Sequence, residues 1–195
     1  IAPTQKAYVV TNDTPGELQE FRWGLCPFWS KEGKPNGRMI NARSEGIENK
    51  PSFRRPIRKR RCWVLADSFY EWKRSGKTKI PYRILDPDDR LLILAGIWET
   101  WGKNKEDLLH TFSIITTAPN AEMAPVHDRM PVVLYERGMQ EKWLEDRDLS
   151  ELLPLLEPPP DNILKMYRVS TEVNSVRNNG VRLHEPVPEQ GGLFE

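Results

Sequence analysis

Arg61-Cys62-Trp63-Val64-Leu65-Ala66-Asp67-Ser68-Phe69-Tyr70-Glu71-Trp72 decides the fold class of this chain. Aromatic and branched side chains dominate it, so it reads as one long strand. Ser75-Gly76-Lys77 then turns the chain into Ile80-Pro81-Tyr82-Arg83-Ile84-Leu85, and Asp86-Pro87-Asp88-Asp89 turns it again into Leu91–Trp98. Hairpin-like spacings of this kind predict an antiparallel sheet or barrel. Upstream, Ala7-Tyr8-Val9-Val10 and Leu18–Trp23 are short apolar runs separated by the turn cluster Asn12-Asp13-Thr14-Pro15-Gly16. Downstream, Phe112–Thr117 and Met166–Val169 complete the strand set.

Helices are fewer. Pro51–Arg60 begins with a proline suited to a first turn, and Asn120 is placed to cap a short turn through Met123. Glu136–Glu145 and Leu149–Leu156 read as amphipathic helices that end before Pro158-Pro159-Pro160. Strands dominate the first 135 residues and helices gather afterwards. The expectation is therefore an α+β fold, a mostly antiparallel, barrel-like sheet with peripheral helices, in one domain over residues 1–183. Residues 184–195 are expected to form a poorly ordered C-terminal tail.

At 195 residues the chain can bury a sizeable core. No apolar run approaches the roughly 18 residues that a membrane helix needs, so no membrane association is expected. Two cysteines, Cys26 and Cys62, form neither a disulfide framework nor a metal-ligand spacing, which points to a reducing compartment, the cytoplasm. The opening Ile1-Ala2-Pro3-Thr4-Gln5 has neither an initiator Met nor a signal-peptide pattern and reads as the interior of a longer polypeptide.

Charge is uneven. From Lys50 to Arg83 there are 12 Lys or Arg against only Asp67 and Glu71, whereas acidic residues concentrate between Glu141 and Asp161. Such a basic block, with Arg54, Arg55 and Arg58 at its centre, reads either as a surface that meets phosphates or as a solvated helix face. Among the seven tryptophans, Trp63, Trp98 and Trp101 lie in apolar runs and read as core. Trp29 precedes a polar, basic loop. Its ring either stacks an unpaired base or folds down as a loop anchor.

Three segments carry polar side chains at the edges of apolar runs, where strands would deliver them to one place. Ile40-Asn41-Ala42-Arg43-Ser44-Glu45 offers an amide. Ala66–Lys73 offers the Glu71 carboxylate between aromatic neighbours, and His127-Asp128-Arg129-Met130-Pro131 offers an imidazole. A buried Glu71 would have its pKa raised by desolvation and could exchange protons near neutral pH; otherwise it is a surface residue paired with Lys73. His127 suits general acid–base work or simply a hydrogen bond at a junction. There is no Gly-x-Ser-x-Gly elbow, no phosphate-cradling glycine loop and no His-Glu-x-x-His. With three widely scattered histidines, neither a metal nor a cofactor is expected.

Five ordered motifs carry a resemblance through nearly the whole chain: Ile1-Ala2-Pro3-Thr4, Trp23-Gly24-Leu25-Cys26-Pro27-Phe28-Trp29, Ile40–Glu45, Ala66–Lys73 and Val126–Pro131. Together they resemble the SRAP (SOS-response-associated peptidase) family, which covers DNA–protein crosslinking repair proteins. The resemblance implies binding of single-stranded DNA that contains an abasic site; a monomer is expected. It implies covalent capture by an N-terminal cysteine, whose amine and thiol close a thiazolidine on the ring-opened sugar. On it, Asn41 holds the sugar, Glu71 handles protons at the amine, and His127 assists ring opening. Pro3, Trp29, Arg43 and Arg129, with Thr116, shape the DNA groove. Ser68 stands where the family more often has Gly. The family's opening Met-Cys-Gly-Arg segment is expected upstream of Ile1, and neither Cys26 nor Cys62 matches its cysteine. Two alternatives are a non-covalent single-strand-binding module and a peptidase limited to processing its own N-terminus.

Overall fold

Alternation decides the first hairpin. Along β1 (Lys6–Thr11), Ala7, Val9 and Thr11 are buried while Lys6 and Tyr8 face solvent, the period of a strand with one face on a core. In β2 (Gln19–Trp23) only Phe21 is fully buried, and it sits opposite Ala7. The computed structural model describes residues 1–187, apart from the side chain of Lys105. Its remaining strands are β3 (Asn41–Arg43), β4 (Arg61–Ala66), β5 (Phe69–Ser75), β6 (Thr78–Leu85), β7 (Leu92–Trp101), β8 (Leu109–Thr117), β9 (Met130–Pro131) and β10 (Lys165–Arg168).

The larger sheet runs β2-β1-β4-β7-β8, and β2 returns to pair with β8 in parallel through Arg22↔Thr111 and Trp23↔Phe112. That return closes a five-stranded barrel and leaves no long unpaired edge between these strands. At one end the barrel opens. Beyond the pair Gly96↔Ile114, β7 and β8 part, and residues 130–134 enter between them. Val132 N–H donates to Ile115 O (2.9 Å) and Ala95 N–H to Val132 O (2.9 Å). On the other side of β8, β3 adds in parallel, Asn41↔Ile114 and Arg43↔Thr116. A smaller antiparallel sheet, β10-β6-β5, packs against the barrel through Phe69, Tyr82, Ile84 and Met166.

The run Arg61–Trp72 is therefore two strands, not one. It breaks at Asp67-Ser68, where the chain leaves β1 and β7 and takes β6 as its partner. Arg83 fastens that corner: its Nε donates to Ser68 Oγ at 2.9 Å, and Nη2 lies 3.6 Å from Asp67 Oδ2.

Helices cover the barrel's outer face. α1 (Pro56–Lys59) is shorter than the expected 51–60, because Pro56 lacks the N–H that would continue a ladder from before it. α2 (Arg137–Leu144) lies within the expected range. α3 (Leu149–Leu152) tightens into a 3₁₀ turn (Leu153–Leu156) at Pro154. Asn120 does close its short turn, accepting from Met123 N–H at 3.1 Å. Trp143 and Leu144 of α2, Ile57 of α1 and Leu152 pack on Ala95, Ile97, Ile115 and Val132. No described helix is long and apolar enough to cross a membrane.

Of the expected C-terminal extension, residues 184–187 follow β10 closely. Val187 N–H donates to Arg168 O (2.9 Å) and the Tyr167 hydroxyl to His184 O (2.9 Å). Residues 188–195 lie outside the described residues.

Candidate active site and nucleic-acid interface

The open end of the barrel is where the polar segments meet. The β3–β8–β9 register sets Arg43 beside Thr116 and Thr116 beside Pro131, so Asn41, Arg43, Thr116 and the 127–131 stretch share one rim. Asn41 and Arg43 face out because Ala42 between them is buried, the period-two consequence of so short a strand. Trp23 ties in the N-terminal residues. Its indole N–H donates to Ile40 O at 2.8 Å, while its backbone O accepts from Thr4 N–H at 2.7 Å. Pro3 thus lies one residue from a backbone bond whose other partner reaches the start of β3.

β5 delivers Glu71 to the same place. Its Oε2 lies 3.9 Å from His127 Nε2, a gap that a small movement or one water closes. His127 Nδ1 lies 3.1 Å from both the N and the O of Arg129 and 3.3 Å from Asp128 Oδ1, so the protein holds that edge of the ring and Nε2 is the nitrogen turned toward Glu71. Burial pushes the Glu71 carboxyl above its ordinary value, and Asp128 adds to the push; His127 and the Trp72 N–H pull the other way without cancelling it. Glu71 consequently faces an imidazole instead of the Lys73 ammonium. The pair has the composition of an acid–base relay.

Arg129 is largely committed to protein. Nη1 and Nη2 hold Glu45 in a two-pronged bond (2.5 and 2.9 Å), and Nη2 also donates to Thr116 O at 2.5 Å. The hydrogen bond from Arg129 holds the Glu45 carboxyl below the usual carboxylate range. Its buried Nε has no acceptor among the described residues. Lys50 Nζ donates to Arg43 O at 2.9 Å, and burial lowers its pKa. Arg43 itself is exposed. Glu45 and Lys50 thus hold the cationic rim in place. Glu45 lies within the Ile40–Glu45 motif, yet the sequence alone assigns it no role, since a carboxylate two residues past an arginine carries no distinguishing pattern.

Trp29 is 55 % exposed beside Phe28, which is 52 % exposed, with the Arg55 guanidinium 4.6 Å over the Phe28 ring. The loop's anchor is Trp101, not Trp29. The Trp101 indole donates to Ser30 O at 2.7 Å, and Gly33 (φ 57°) sits so close that a Cβ would fall 2.3 Å from the ring. Phe28 was missed in the sequence, although an aromatic next to Trp29 is the available signal.

The basic block divides. Arg61 is 1 % exposed and spends its guanidinium on backbone carbonyls, and Arg60 is bound to the buried Glu99, with Arg55 Nη1 3.8 Å from the same carboxylate. Arg60 and Arg61, although part of the basic block, thus satisfy groups inside the fold. Arg54, Arg55 and Arg58 remain exposed, although Arg58 Nη1 also donates to Glu48 O (3.0 Å) and Arg54 O (2.6 Å). Both cysteines are buried, and burial raises both thiols.

The fold that builds this open end is shared with known proteins. The chain belongs to the SOS response associated peptidase (SRAP) family, whose pattern matches residues 1–176. It is 44% identical over 189 residues to the abasic site processing protein YoqW of Bacillus subtilis, covering 95% of this chain and 84% of that one. It is 36% identical over 187 residues to the abasic site processing protein HMCES of Gallus gallus, covering 83% of this chain and 55% of that one. A crystal structure of a protein from Bacteroides thetaiotaomicron superposes with a TM-score of 0.84 at 32% identity, covering 94% of this chain and 82% of that one.

Proposed function

We propose that this protein binds single-stranded DNA at an abasic site and captures the ring-opened sugar covalently, as a monomer acting in the cytoplasm in response to DNA damage. The observation that carries the reading is the Glu71–His127 pair at the barrel's open end, beside Asn41 and Arg43. The names of the relatives above, abasic site processing proteins, support the same substrate.

Opening the sugar hemiacetal requires a proton at the ring oxygen, which His127 supplies. The amine of an N-terminal cysteine then adds to the aldehyde. Glu71 takes a proton from that amine and returns it to the departing hydroxyl, so that one water leaves. Addition of the same residue's thiol to the resulting C=N bond closes a thiazolidine. Asn41 holds the sugar hydroxyl or carbonyl. Trp29 stacks a base, and Arg43, Arg54, Arg55 and Arg58 line the path of the phosphates, while Arg129 and Thr116 shape the groove from behind and Pro3 walls the sugar.

The test is incubation of the full-length protein with a single-stranded oligonucleotide carrying one abasic site, read by denaturing gel and mass spectrometry. A heat-stable adduct, lighter by one water than the sum of its parts, is the expected product. Binding without any adduct would mark a non-covalent module and overturn the covalent reading. Replacing Cys26 or Cys62 by Ala should leave the adduct yield unchanged, because neither buried thiol carries its own free amine. Loss of adduct in a folded Cys26→Ala or Cys62→Ala protein would reassign the nucleophile.

Binding itself has a separate signature. Trp29→Ala should weaken affinity for single strands by about 1–3 kcal/mol if its ring stacks a base. Affinity should also fall linearly on a log–log plot against salt, through release of counterions. A flat salt titration would rule out the cationic groove.

A further inference from the structure

The face of the smaller sheet that bears Glu71 holds a second cationic group whose acceptor the structure does not supply. Residues directly opposite one another in antiparallel strands point to the same face. Tyr82 of β6 is opposite Glu71 of β5 on one side and opposite Arg168 of β10 on the other. Glu71, Tyr82 and Arg168 therefore form one row across the sheet. The row before it, Phe69, Ile84 and Met166, packs into the core. The row beyond it contains Lys73 opposite Ile80, toward the hairpin tip at Ser75–Thr78. The face thus passes from apolar core, through a polar band, to Lys73, near a hairpin tip whose Arg74, Lys77 and Lys79 add charge with no acidic residue among them.

Arg168 is half-buried, and its buried Nε has no hydrogen-bond partner among the described residues. It also forms no ion pair there, in contrast to Arg83 on the opposite face, which is bound to Ser68, Asp67 and Tyr167. A guanidinium that is partly desolvated yet lacks an acceptor is costly, and such groups call for an explanation. The opposite face of this sheet offers none, because it is covered by the chain's own C-terminal segment: the Trp72 indole donates to Asn174 Oδ1 at 2.7 Å and the Tyr70 hydroxyl to Leu183 O at 3.3 Å. On the Glu71 face, Tyr82 packs against the barrel core, while Glu71 and Arg168 on either side of it stay only partly buried.

We infer that Arg168, with Lys73, is a phosphate-binding wall that takes the nucleic-acid backbone next to the sugar held at Glu71 and His127. The inference rests on the reading of the rim as a single-strand site and extends it to a second surface. By strand spacing, Arg168 lies two strands, or ~10 Å, across the sheet from Glu71, and Lys73 lies two residues, or ~7 Å, along β5. Both distances are within reach of a phosphodiester flanking a sugar at Glu71. A guanidinium is suited to that acceptor because its fork matches two phosphate oxygens.

The measurement is equilibrium binding of an ordinary single-stranded oligonucleotide, without any abasic site, across a salt series. Arg168→Gln should weaken binding about tenfold, the worth of one hydrogen-bonded charge. It should also reduce the slope of log affinity against log salt by about 0.7. Arg168→Lys keeps the charge and should retain the slope while losing part of the affinity, and Lys73→Gln should reduce the slope as Arg168→Gln does. An unchanged slope in Arg168→Gln, or an equal slope loss in Arg168→Lys, overturns the inference. Because the probe lacks the lesion, the covalent reading can fail without touching this result. A parent protein that forms the adduct while Arg168→Gln binds like the parent overturns the wall alone.

Discussion

Glu71→Gln should slow adduct formation on abasic single strands by about 10²–10⁴-fold while changing DNA affinity little, because a positioned proton-transfer group is worth that much and Gln keeps the shape. The pH profile should carry the same mark. Burial raises the Glu71 carboxyl, so the parent rate should fall on the acid side at a pH above the ordinary carboxylate range, and that limb should vanish in the Gln variant. Stability supplies an independent check of sign. A carboxyl whose pKa is raised on folding contributes stability that is fully present below about pH 4.3 and is lost as pH rises through the raised value. Glu71→Gln removes the buried charge, so its melting temperature relative to the parent should increase from pH 4 to pH 8. Equal losses in binding and rate, with no pH-dependent difference in melting, would make Glu71 a structural residue.

The strands that the sequence marked well are those bounded by turn chemistry. Ser75-Gly76-Lys77 and Asp86-Pro87-Asp88-Asp89 set off β6 and β7 because glycine, proline and aspartate act locally, and the structure keeps those turns. Where partner choice decided the matter, local pattern was silent. Nothing in Arg61–Trp72 says that Ala66 pairs with β7 while Phe69 pairs with β6, since aromatic side chains mark both halves as strand. Barrel closure rests on two parallel pairs between β2 and β8, too few to leave a pattern. The entry of residues 130–134 between β7 and β8 was equally hidden, yet it is what aims His127 at Glu71. The site was legible as three separate segments and as a family resemblance. Its supports were not: the Glu45–Arg129 ion pair joins residues 84 apart, and the Lys50 bond is to the Arg43 backbone carbonyl, so neither has a side-chain spacing to read.

Arg61→Met should lower folding stability by about 3 kcal/mol or more, the largest effect expected of any cation in the basic block. Arg61 Nε donates to Trp143 O (2.8 Å), Nη1 to Ile57 O (3.2 Å) and Arg58 O (2.7 Å), and Nη2 to Glu145 O (2.5 Å). These carbonyls lie at the C-terminal ends of α1 and α2, where the last turns leave acceptors without partners and the helix dipole is negative. One guanidinium thus closes both helices against β4. Methionine fills the volume, but it leaves four carbonyls without this donor. Urea denaturation should register the loss, whereas Arg54→Gln, on an exposed side chain, should stay within about 0.5 kcal/mol of the parent. The two variants should exchange order in single-strand binding, with Arg54→Gln weaker and folded Arg61→Met close to the parent. An Arg61→Met protein that kept its stability but lost DNA affinity would return Arg61 to the phosphate-binding surface, against its 1 % exposure.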